Sequence, residues 1–320
     1  MHWIAELDGR RITVEVPASI ANLGAGYDCL ALALAIPLRV EIEVLGWSKG
    51  EVDLTVSGEG EGELPANRQN RIVRGLVAAL EAARGPLPER VGWRIAVRSE
   101  IPLARGLGSS AAATVAGLVA GNVLSGEGLT TADLLRLASE IEGHADNAAA
   151  ALLGGFVVVG PAPDGDRLEA IRFDAPRDLR AILFIPERRL TTEEMRRVLP
   201  PSIPLADAVA NLGRVALGVA GLAIGRTELL RVLTEDRLHE PYRATVFPEL
   251  PRLTAAARAA GALGACLSGA GSTVVAFADS VASITRVEAA LAAAAADLDL
   301  PGRLAVVAPR NVGATVVGRG

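Results

Sequence analysis

The segment whose residue types and spacing most directly suggest chemistry is Gly-Leu-Gly-Ser-Ser at 106–110. Glycines let the backbone come within hydrogen-bonding distance of phosphate oxygens, and the free amides of a helix N-terminus favour negative charge. The segment therefore predicts an anion-binding turn. An ordinary glycine turn with a serine cap explains the same residues, because short glycine motifs also occur without a ligand.

A strand and a helix are predicted on either side of this turn. Trp93, Ile95 and Val97 alternate with Arg or Ala, which is the period of a strand with one buried face. Ser109 and Ser110 stand in N-cap positions ahead of an Ala-rich apolar run, which predicts a helix. Strand, glycine loop and helix start form the arrangement in which backbone amides bind phosphate.

Two common nucleotide-binding patterns do not fit this segment. The chain has no GxxxxGK[ST] sequence, and Ala111 stands where GxGxxG needs its third glycine. Lys49 is the only lysine among 32 basic residues, which gives little support to a lysine-cradled phosphate or a Schiff base. Serine hydroxyls, helix-terminal amides and a metal ion are then left to neutralise a phosphate.

The composition indicates a protein that binds small molecules. A length of 320 residues predicts two domains, and with only 3% aromatic residues their cores must be aliphatic. The net charge is −5, acids and bases are interspersed, and no basic block is present. These features argue against a nucleic-acid partner.

The same features predict a soluble cytoplasmic protein with no membrane partner. Cys29 and Cys266 lie far apart and form no CxxC pattern, which fits a reducing compartment. The first residues lack the charged-then-apolar order of a secretory leader. The uncharged run at 106–126 contains Gly, Ser, Thr and Asn, and we interpret it as a buried helix.

The hydrophobic patterns predict an α+β fold. Strands are expected at 12–16, 38–44, 52–56, 93–97, 156–159, 168–173, 180–185, 264–267, 273–277 and 304–307. Helices are expected at 27–35, 70–80, 109–124, 131–143, 191–199, 205–224, 227–234, 248–260 and 280–296. The strands at 38–44 and 52–56 should form a hairpin, and a loop should begin at Pro17. Residues 1–173 and 174–320 are expected to form separate domains.

Three glycine segments in this order resemble those of the GHMP kinases, a family of small-molecule kinases. They are PASIANLGAGYD at 17–28, PLARGLGSSAA at 102–112 and LSGAGS at 267–272. The resemblance implies an N-terminal mixed α/β nucleotide-binding domain with additional hairpin strands, a ferredoxin-like C-terminal α+β domain, and ATP and Mg²⁺ as cofactors. The first segment and EGHADN at 142–147 are similar to the branch that phosphorylates the side-chain hydroxyl of L-homoserine.

The resemblance also implies where ATP and Mg²⁺ bind. The residues expected around the phosphates are Pro102, Leu103, Ala104, Arg105, Gly106, Leu107, Gly108, Ser109, Ser110, Ala111 and Ala112. Asn70 is expected to contact the nucleotide base. Ser110 and Glu140 are the implied magnesium ligands, since Mg²⁺ prefers oxygen donors. A surface position is the alternative for Glu140, and Glu142 is expected on a different face of the helix.

L-Homoserine carries an ammonium and a carboxylate, and the resemblance assigns residues to both groups. Asn22 and Asp28 are implied for the ammonium and the hydroxyl, with turn formation as their alternative role. Arg196 and Arg243 are implied for the carboxylate, because a planar guanidinium can bind it at two points. A surface position is the alternative for each arginine, and the assignment of Arg196 could move to Arg197.

The remaining implied site residues surround the reacting groups. His144 is expected to hydrogen-bond the substrate or to be structural. Asp146 and Asn147 lie where related kinases place a catalytic aspartate, but no general base is assigned. Ser268 and Gly269 are expected to lend backbone groups near substrate and phosphate, or to form a tight turn. The three histidines form no cluster, so a zinc site is not expected.

Three functions remain open on the sequence. The first is ATP-dependent phosphorylation of L-homoserine, in the route to threonine. The second is a related kinase that acts on an isoprenoid precursor or another small alcohol, and the third is a non-catalytic nucleotide-binding regulator. The sequence leaves open the oligomeric state, a homodimer included, and feedback by threonine.

Overall fold

The computed structural model describes residues 2–163, 165 and 167–320. Its strands are β1 Arg11–Ala21, β2 Leu30–Trp47, β3 Val52–Gly58, β4 Val91–Ser99, β5 Phe156–Pro161, β6 Leu168–Phe173, β7 Arg180–Pro186, β8 Gly264–Leu267, β9 Val274–Ala278, β10 Gly302–Val307 and β11 Thr315–Arg319. Its α-helices are α1 Arg71–Arg84, α2 Ser109–Leu124, α3 Thr131–Glu142, α4 Asp146–Leu153, α5 Thr192–Arg197, α6 Leu205–Ala223, α7 Leu230–Leu233, α8 Glu240–Arg243, α9 Leu250–Ala259 and α10 Val281–Asp297. Short 3-10 helices lie at His2–Ile4 and Thr227–Leu229.

The first sheet has seven strands in the order β11-β1-β2-β4-β3, with β5 beside β2 and β6 beside β5. Neighbouring strands are antiparallel except β3 and β4, which are parallel. In β4 the expected alternation is confirmed, since Trp93, Ile95 and Val97 are buried and Arg94 and Arg98 are exposed. Helices α1 to α4 pack together, and α2 and α4 contact β1.

The sheet corrects three expectations about the first 60 residues. The helix expected at 27–35 is wrong, because residues 30–34 are a buried part of β2 between β1 and β5. Burial of both faces removes the alternation by which a strand is recognised, and Ala and Leu favour helices intrinsically. The hairpin is also wrong, since β4 lies between β2 and β3. The loop expected from Pro17 is wrong, because β1 continues to Ala21.

The second sheet is antiparallel in the order β10-β7-β9-β8 and is covered by α9 and α10. Its elements follow the chain as β7-α9-β8-β9-α10-β10, which is the ferredoxin-like βαββαβ arrangement. A separate hydrophobic core, which includes Phe247, Leu253 and Leu291, fills the space between this sheet and its helices. The expected α+β fold with a ferredoxin-like second half is therefore confirmed.

Three elements were not anticipated from the sequence. They are α4, which was expected only as a segment of small residues, and α8 and β11, for which no element was expected. β11 pairs with β1, so the end of the chain belongs to the first sheet. The boundary between residues 173 and 174 stays a prediction; it falls between β6 of the first sheet and β7 of the second.

Two apolar helices differ in their surroundings. The buried helix expected within 106–126 is confirmed, because most residues of α2 are buried. In the described part of the chain, α6 is the helix long and apolar enough to cross a membrane by length and composition, yet only 22% of that stretch is buried.

Candidate active site

The glycine turn and the start of α2 differ from the expected cap. The helix begins at Ser109, and Gly108 is the N-cap with a φ of 69°, so the expectation that Ser109 and Ser110 are caps is wrong. Glycine adopts this left-handed conformation without the penalty of a side chain. The amides of the first turn still lack intrahelical partners, which preserves the anion-binding geometry.

Close contacts hold the second and third glycine segments together. Ser268 Oγ donates a hydrogen bond to the carbonyl oxygen of Gly106 at 2.5 Å, and Thr273 Oγ1 donates to that of Arg105. Gly106 has a φ of 44°, and an added Cβ would overlap the carbonyl oxygen of Ser268. Glycine is therefore required here by the backbone conformation and by the approach of the two loops.

A cavity of about 550 Å³ opens in front of this turn. The expected phosphate-binding residues that line it are Pro102, Leu103, Ala104, Arg105, Gly106, Leu107, Gly108, Ser109, Ser110 and Ala111. Ala112 is fully buried in α2, so the prediction that it contacts a ligand is wrong. The apolar side chains of Leu64, Leu103 and Leu107 line the same cavity beside the polar turn.

Two neighbouring glutamates at the end of α3 exchange their expected roles. Glu140 is exposed and pairs with Arg136 at 2.6 Å on the same helix, so the prediction of Glu140 as a catalytic magnesium ligand is wrong. Glu142 lines the cavity together with Ser110, and its side chain is only 5% exposed. Residues two apart on a helix point about 200° away from each other, so only one of the two can face the cavity.

The contacts of Glu142 fix its carboxylate at the cavity wall. Thr114 Oγ1 on α2 donates to Oε1 at 2.6 Å, and the guanidinium of Arg71 lies 3.3 Å from the same oxygen. Both contacts use Oε1, which leaves Oε2 for another ligand. The sequence carried one signal for this role, since Glu142 opens the EGHADN segment.

Asn70 has a structural role that its predicted contact with the nucleotide base did not include. It caps α1, since its Oδ1 accepts a hydrogen bond from the Ile72 amide at 2.9 Å. Its Nδ2 donates to the carbonyl oxygen of Pro65 at 3.0 Å. Asn70 also lines the cavity, and a contact with the base stays a prediction.

An ion pair lies beside the first glycine segment. Both terminal nitrogens of Arg196 contact the Asp28 carboxylate, at 2.7 and 3.0 Å, and one also donates to the Tyr27 hydroxyl at 2.8 Å. The sequence left open which arginine faces the site. Arg196 does, whereas Arg197 is exposed and pairs with Glu193.

Arg243 is an internal residue of the same region. Only 2% of it is exposed, and its guanidinium donates to the carbonyl oxygen of Gly269 at 2.8 Å. The Tyr27 ring separates the two arginines, with the guanidinium carbons of Arg196 and Arg243 at 5.5 and 5.4 Å from its centroid. Sequence reasoning missed Tyr27, although it lies next to Asp28.

His239 orients Arg243 from behind and was not expected at the site. Burial lowers the pKa of His239 to about 4, so the ring is neutral near pH 7. Arg243 lies 3.1 Å from Nδ1 and can only donate, so Nε2 carries the proton and donates to the carbonyl oxygen of Gly24 at 2.8 Å. The histidine thereby links Arg243 to the first glycine segment.

Asn22 is engaged in the turn itself. Its Nδ2 donates to the carbonyl oxygen of Gly269 at 3.0 Å, and its Oδ1 accepts from the Asp28 amide at 3.0 Å. The residue is 3% exposed, which matches the turn-forming alternative. Contacts of Asn22, Ser268 and Gly269 with a substrate stay predictions.

His144, Asp146 and Asn147 form a connected group at the start of α4. Asp146 Oδ1 contacts His144 Nδ1 at 2.8 Å and accepts from the Asn147 amide at 2.7 Å. The hydrogen bond from Asp146 raises the pKa of His144 above its ordinary value. Asn147 Oδ1 accepts from Ser19 Oγ at 2.8 Å.

The cavity and the ion pair adjoin one another. His144 and Asn147 line the cavity, and the charges of Arg196 and Asp28 are near enough to act on His144. On the opposite side, Ala270 and Gly271 line the cavity directly after Gly269, which binds Arg243. A phosphate donor in the cavity would therefore face a group held near Asp28 and Arg196.

Glu240 makes the stability of this region depend on pH. Burial raises the pKa of its carboxyl to about 8 from 4.5, and its Oε1 accepts from the Leu267 amide at 2.6 Å. Because the folded-state pKa is raised, the stability contributed by this group is complete below about pH 4.5 and is lost as the pH rises through about 8. We expect Glu240→Gln, which keeps the acceptor, to remove that loss.

Urea unfolding at pH 5, 7 and 9 measures this effect. The free energy of unfolding of the wild type should fall more steeply with pH than that of Glu240→Gln. The exposed Glu193→Gln is the control and should follow the wild type. Parallel pH profiles for wild type and Glu240→Gln would show that Glu240 does not retain its proton.

Comparison with known proteins defines the class of the fold and site first. The family model for the GHMP kinases N terminal domain matches residues 70–155, and that for the GHMP kinases C terminal domain matches residues 220–297. The first match contains the glycine turn of α2 and Glu142, and the second contains Arg243 and the third glycine segment.

Individual relatives narrow the class. The chain is 39% identical to a homoserine kinase of Moorella thermoacetica, over 95% of this chain and 99% of the relative, and 42% identical to one of Corynebacterium efficiens, over 83% and 85%. The crystal structure of homoserine kinase from Cytophaga hutchinsonii superposes with a TM-score of 0.83 at 32% identity and covers 96% of this chain and 97% of its own. This chain belongs to the homoserine kinase family of the GHMP kinases.

Proposed function

We propose that the protein transfers the γ-phosphate of ATP to the side-chain hydroxyl of L-homoserine and forms O-phospho-L-homoserine. The observation that carries the proposal is the Asp28–Arg196 pair beside a cavity walled by the glycine turn of α2. An amino-acid acceptor has an ammonium and a carboxylate, and this cluster offers one carboxylate and two guanidinium groups. Relatives with the printed name homoserine kinase, matched over nearly the whole chain, support the same acceptor.

We assign the ATP phosphates to the turn at 106–110 and the first-turn amides of α2. Backbone amides and two serine hydroxyls suit phosphate oxygens, and the helix dipole favours their charge. The apolar side of the cavity suits the base. Kinase relatives support the use of ATP by this chain.

We further propose that Mg²⁺ is held by Ser110 and Glu142. The fit rests on chemistry, since a hydroxyl and a carboxylate are the hard oxygen donors that Mg²⁺ takes beside phosphates and water. Both residues line one cavity, and Glu142 Oε2 is outside the contacts with Thr114 and Arg71. When bound, the ion would neutralise charge on the phosphates. Among the described residues, no three His, Cys, Asp or Glu side chains form a cluster for a metal ion.

The chain's own residues place the acceptor. Arg196 and Arg243 would hold the carboxylate, and Asp28 would hold the ammonium, which leaves the hydroxyl to point towards the cavity. Asp146 is buried and its Oδ1 is engaged by His144 and the Asn147 amide. We therefore assign it a positioning role and no general-base role. We also propose a cytoplasmic location, which the two free cysteines support.

An acceptor panel tests the proposed function. With ATP and Mg²⁺, we expect phosphorylation of L-homoserine, detected by ³¹P NMR of the product, and no phosphorylation of mevalonate, which has no ammonium for Asp28. Phosphorylation of mevalonate or another uncharged alcohol instead would support the related-kinase alternative. Nucleotide binding by calorimetry without phosphorylation of any acceptor would support the regulator.

A further inference from the structure

Helix α6 exposes a continuous apolar stripe. Leu205, Val209 and Leu212 are 80%, 58% and 70% exposed, and the stripe continues with three exposed alanines, Ala216, Ala220 and Ala223. Consecutive members are three or four residues apart, so they lie on one helix face. In the described part of the chain, no element covers this face. Apolar stripes of this length on a soluble protein mark an interaction surface.

The opposite side of α6 fixes the stripe towards solvent. Asn211 is 3% exposed, and its Nδ2 donates to the carbonyl oxygen of Ala25 at 3.2 Å and to Asp236 Oδ1 at 2.7 Å. Gly218 and Leu222 are buried on the same side. The helix cannot rotate to bury the stripe within its own chain without breaking these contacts.

The charges around the stripe argue against a lipid surface as its partner. Asp207 and Arg214 are the charged residues of α6, and each pairs within the chain, with Arg237 and Glu235, both at 3.2 Å. A helix that lies on a membrane usually presents several free Lys or Arg side chains to the headgroups. The stripe therefore requires a partner that is apolar and has no net charge at the contact.

The distribution of side-chain size within the stripe is complementary to itself. The N-terminal half has large side chains and the C-terminal half has small ones. In an antiparallel pair with a two-fold axis between Leu212 and Ala216, Leu205 would face Ala223 of the partner subunit, and Val209 would face Ala220 of the partner subunit. Each large side chain then meets a small one, which allows close packing at a two-fold interface.

We propose that a second copy of this chain covers the stripe, through antiparallel pairing of the two α6 helices about that axis. The helix spans about 28 Å, which is long enough for six stripe residues from each copy to interdigitate. The interface lies outside the phosphate cavity and the Asp28–Arg196 cluster, so its formation is separable from the proposed reaction.

Sedimentation tests the dimer. We expect the wild type to sediment at about twice the 33.0 kDa mass of the chain. Leu212→Glu should raise the dimer dissociation constant at least about 100-fold, because the interface would bury two unpaired carboxylates. The matched control is Val281→Glu, at an 82% exposed position on α10, which should remain dimeric. A monomeric wild type at about 100 μM, or a dimer that Leu212→Glu leaves intact, overturns the proposal.

Disulfide trapping tests the antiparallel direction. The Leu205→Cys/Ala223→Cys double variant should form a covalent dimer on a non-reducing gel under mild oxidation, whereas each single variant and the wild type, with Cys29 and Cys266, should not. Strong cross-linking of Leu205→Cys alone would show a parallel pair and contradict the axis. Flotation of wild-type monomer with phosphatidylcholine and phosphatidylserine vesicles would identify a membrane partner instead.

Discussion

Glu142→Gln is expected to lower kcat for homoserine phosphorylation by about 100- to 1,000-fold, the usual effect of removing one preorganised charge from a transition state. The variant should also need more Mg²⁺ for half-maximal rate, since one of the two proposed ligands is weakened. The physical reason is local. The Glu142 carboxylate is held at the cavity wall by Thr114 and Arg71, and a glutamine amide keeps a similar shape without the charge.

Glu140→Gln is the matched control for this prediction, because it makes the same change two residues away on the same helix. Its side chain is 58% exposed, so kcat and the Mg²⁺ requirement should equal those of the wild type. Steady-state rates at several Mg²⁺ concentrations measure both variants. If Glu140→Gln were the damaged enzyme and Glu142→Gln the normal one, the assignment would have to be reversed.

The second large effect is expected from Arg243→Ala, which should raise the KM for L-homoserine by about 10- to 150-fold. This range corresponds to the loss of about 1.5–3 kcal/mol of charge-assisted hydrogen bonding. The KM for ATP should change little, because Arg243 does not line the cavity. Truncation also leaves the Gly269 carbonyl oxygen with one partner fewer and removes a buried side chain, so the melting temperature should fall.

Two further variants separate substrate binding from folding at this position. Arg243→Lys keeps the charge and much of the volume but loses the planar fork, so its homoserine KM should lie between those of wild type and Arg243→Ala. Arg197→Ala, at an exposed arginine, should leave both constants unchanged. An unaltered homoserine KM in Arg243→Ala would remove Arg243 from the binding site.

The sequence predicts this fold best where one face of an element is buried. The alternation around Trp93 and the apolar spacing of α1 each reveal a half-buried element, and both were predicted correctly. The first part of β2 could not be predicted in this way, because it is buried on both faces. The order β2-β4-β3 depends on contacts between distant segments, which local periodicity does not record.

The candidate site shows a similar limit. Glycine spacing located the phosphate turn, but the choice between Glu140 and Glu142 depends on which helix face meets α2. The sequence offers two acidic residues with no means of ranking them by direction. Likewise, the placement of His239 behind Arg243 arises from tertiary packing, and so does the stacking of Tyr27 between two guanidinium groups.

The ion pair between Asp28 and Arg196 also acts as an internal competitor for the substrate. Any acceptor must displace an existing intramolecular contact at 2.7 Å, and the free energy of opening it is subtracted from the affinity. A ligand with only an amine or only an acid would leave one of these half-exposed charges without its partner. The site therefore discriminates by the number of charges on the ligand before its hydroxyl is tested, and effective competitive inhibitors should be zwitterions.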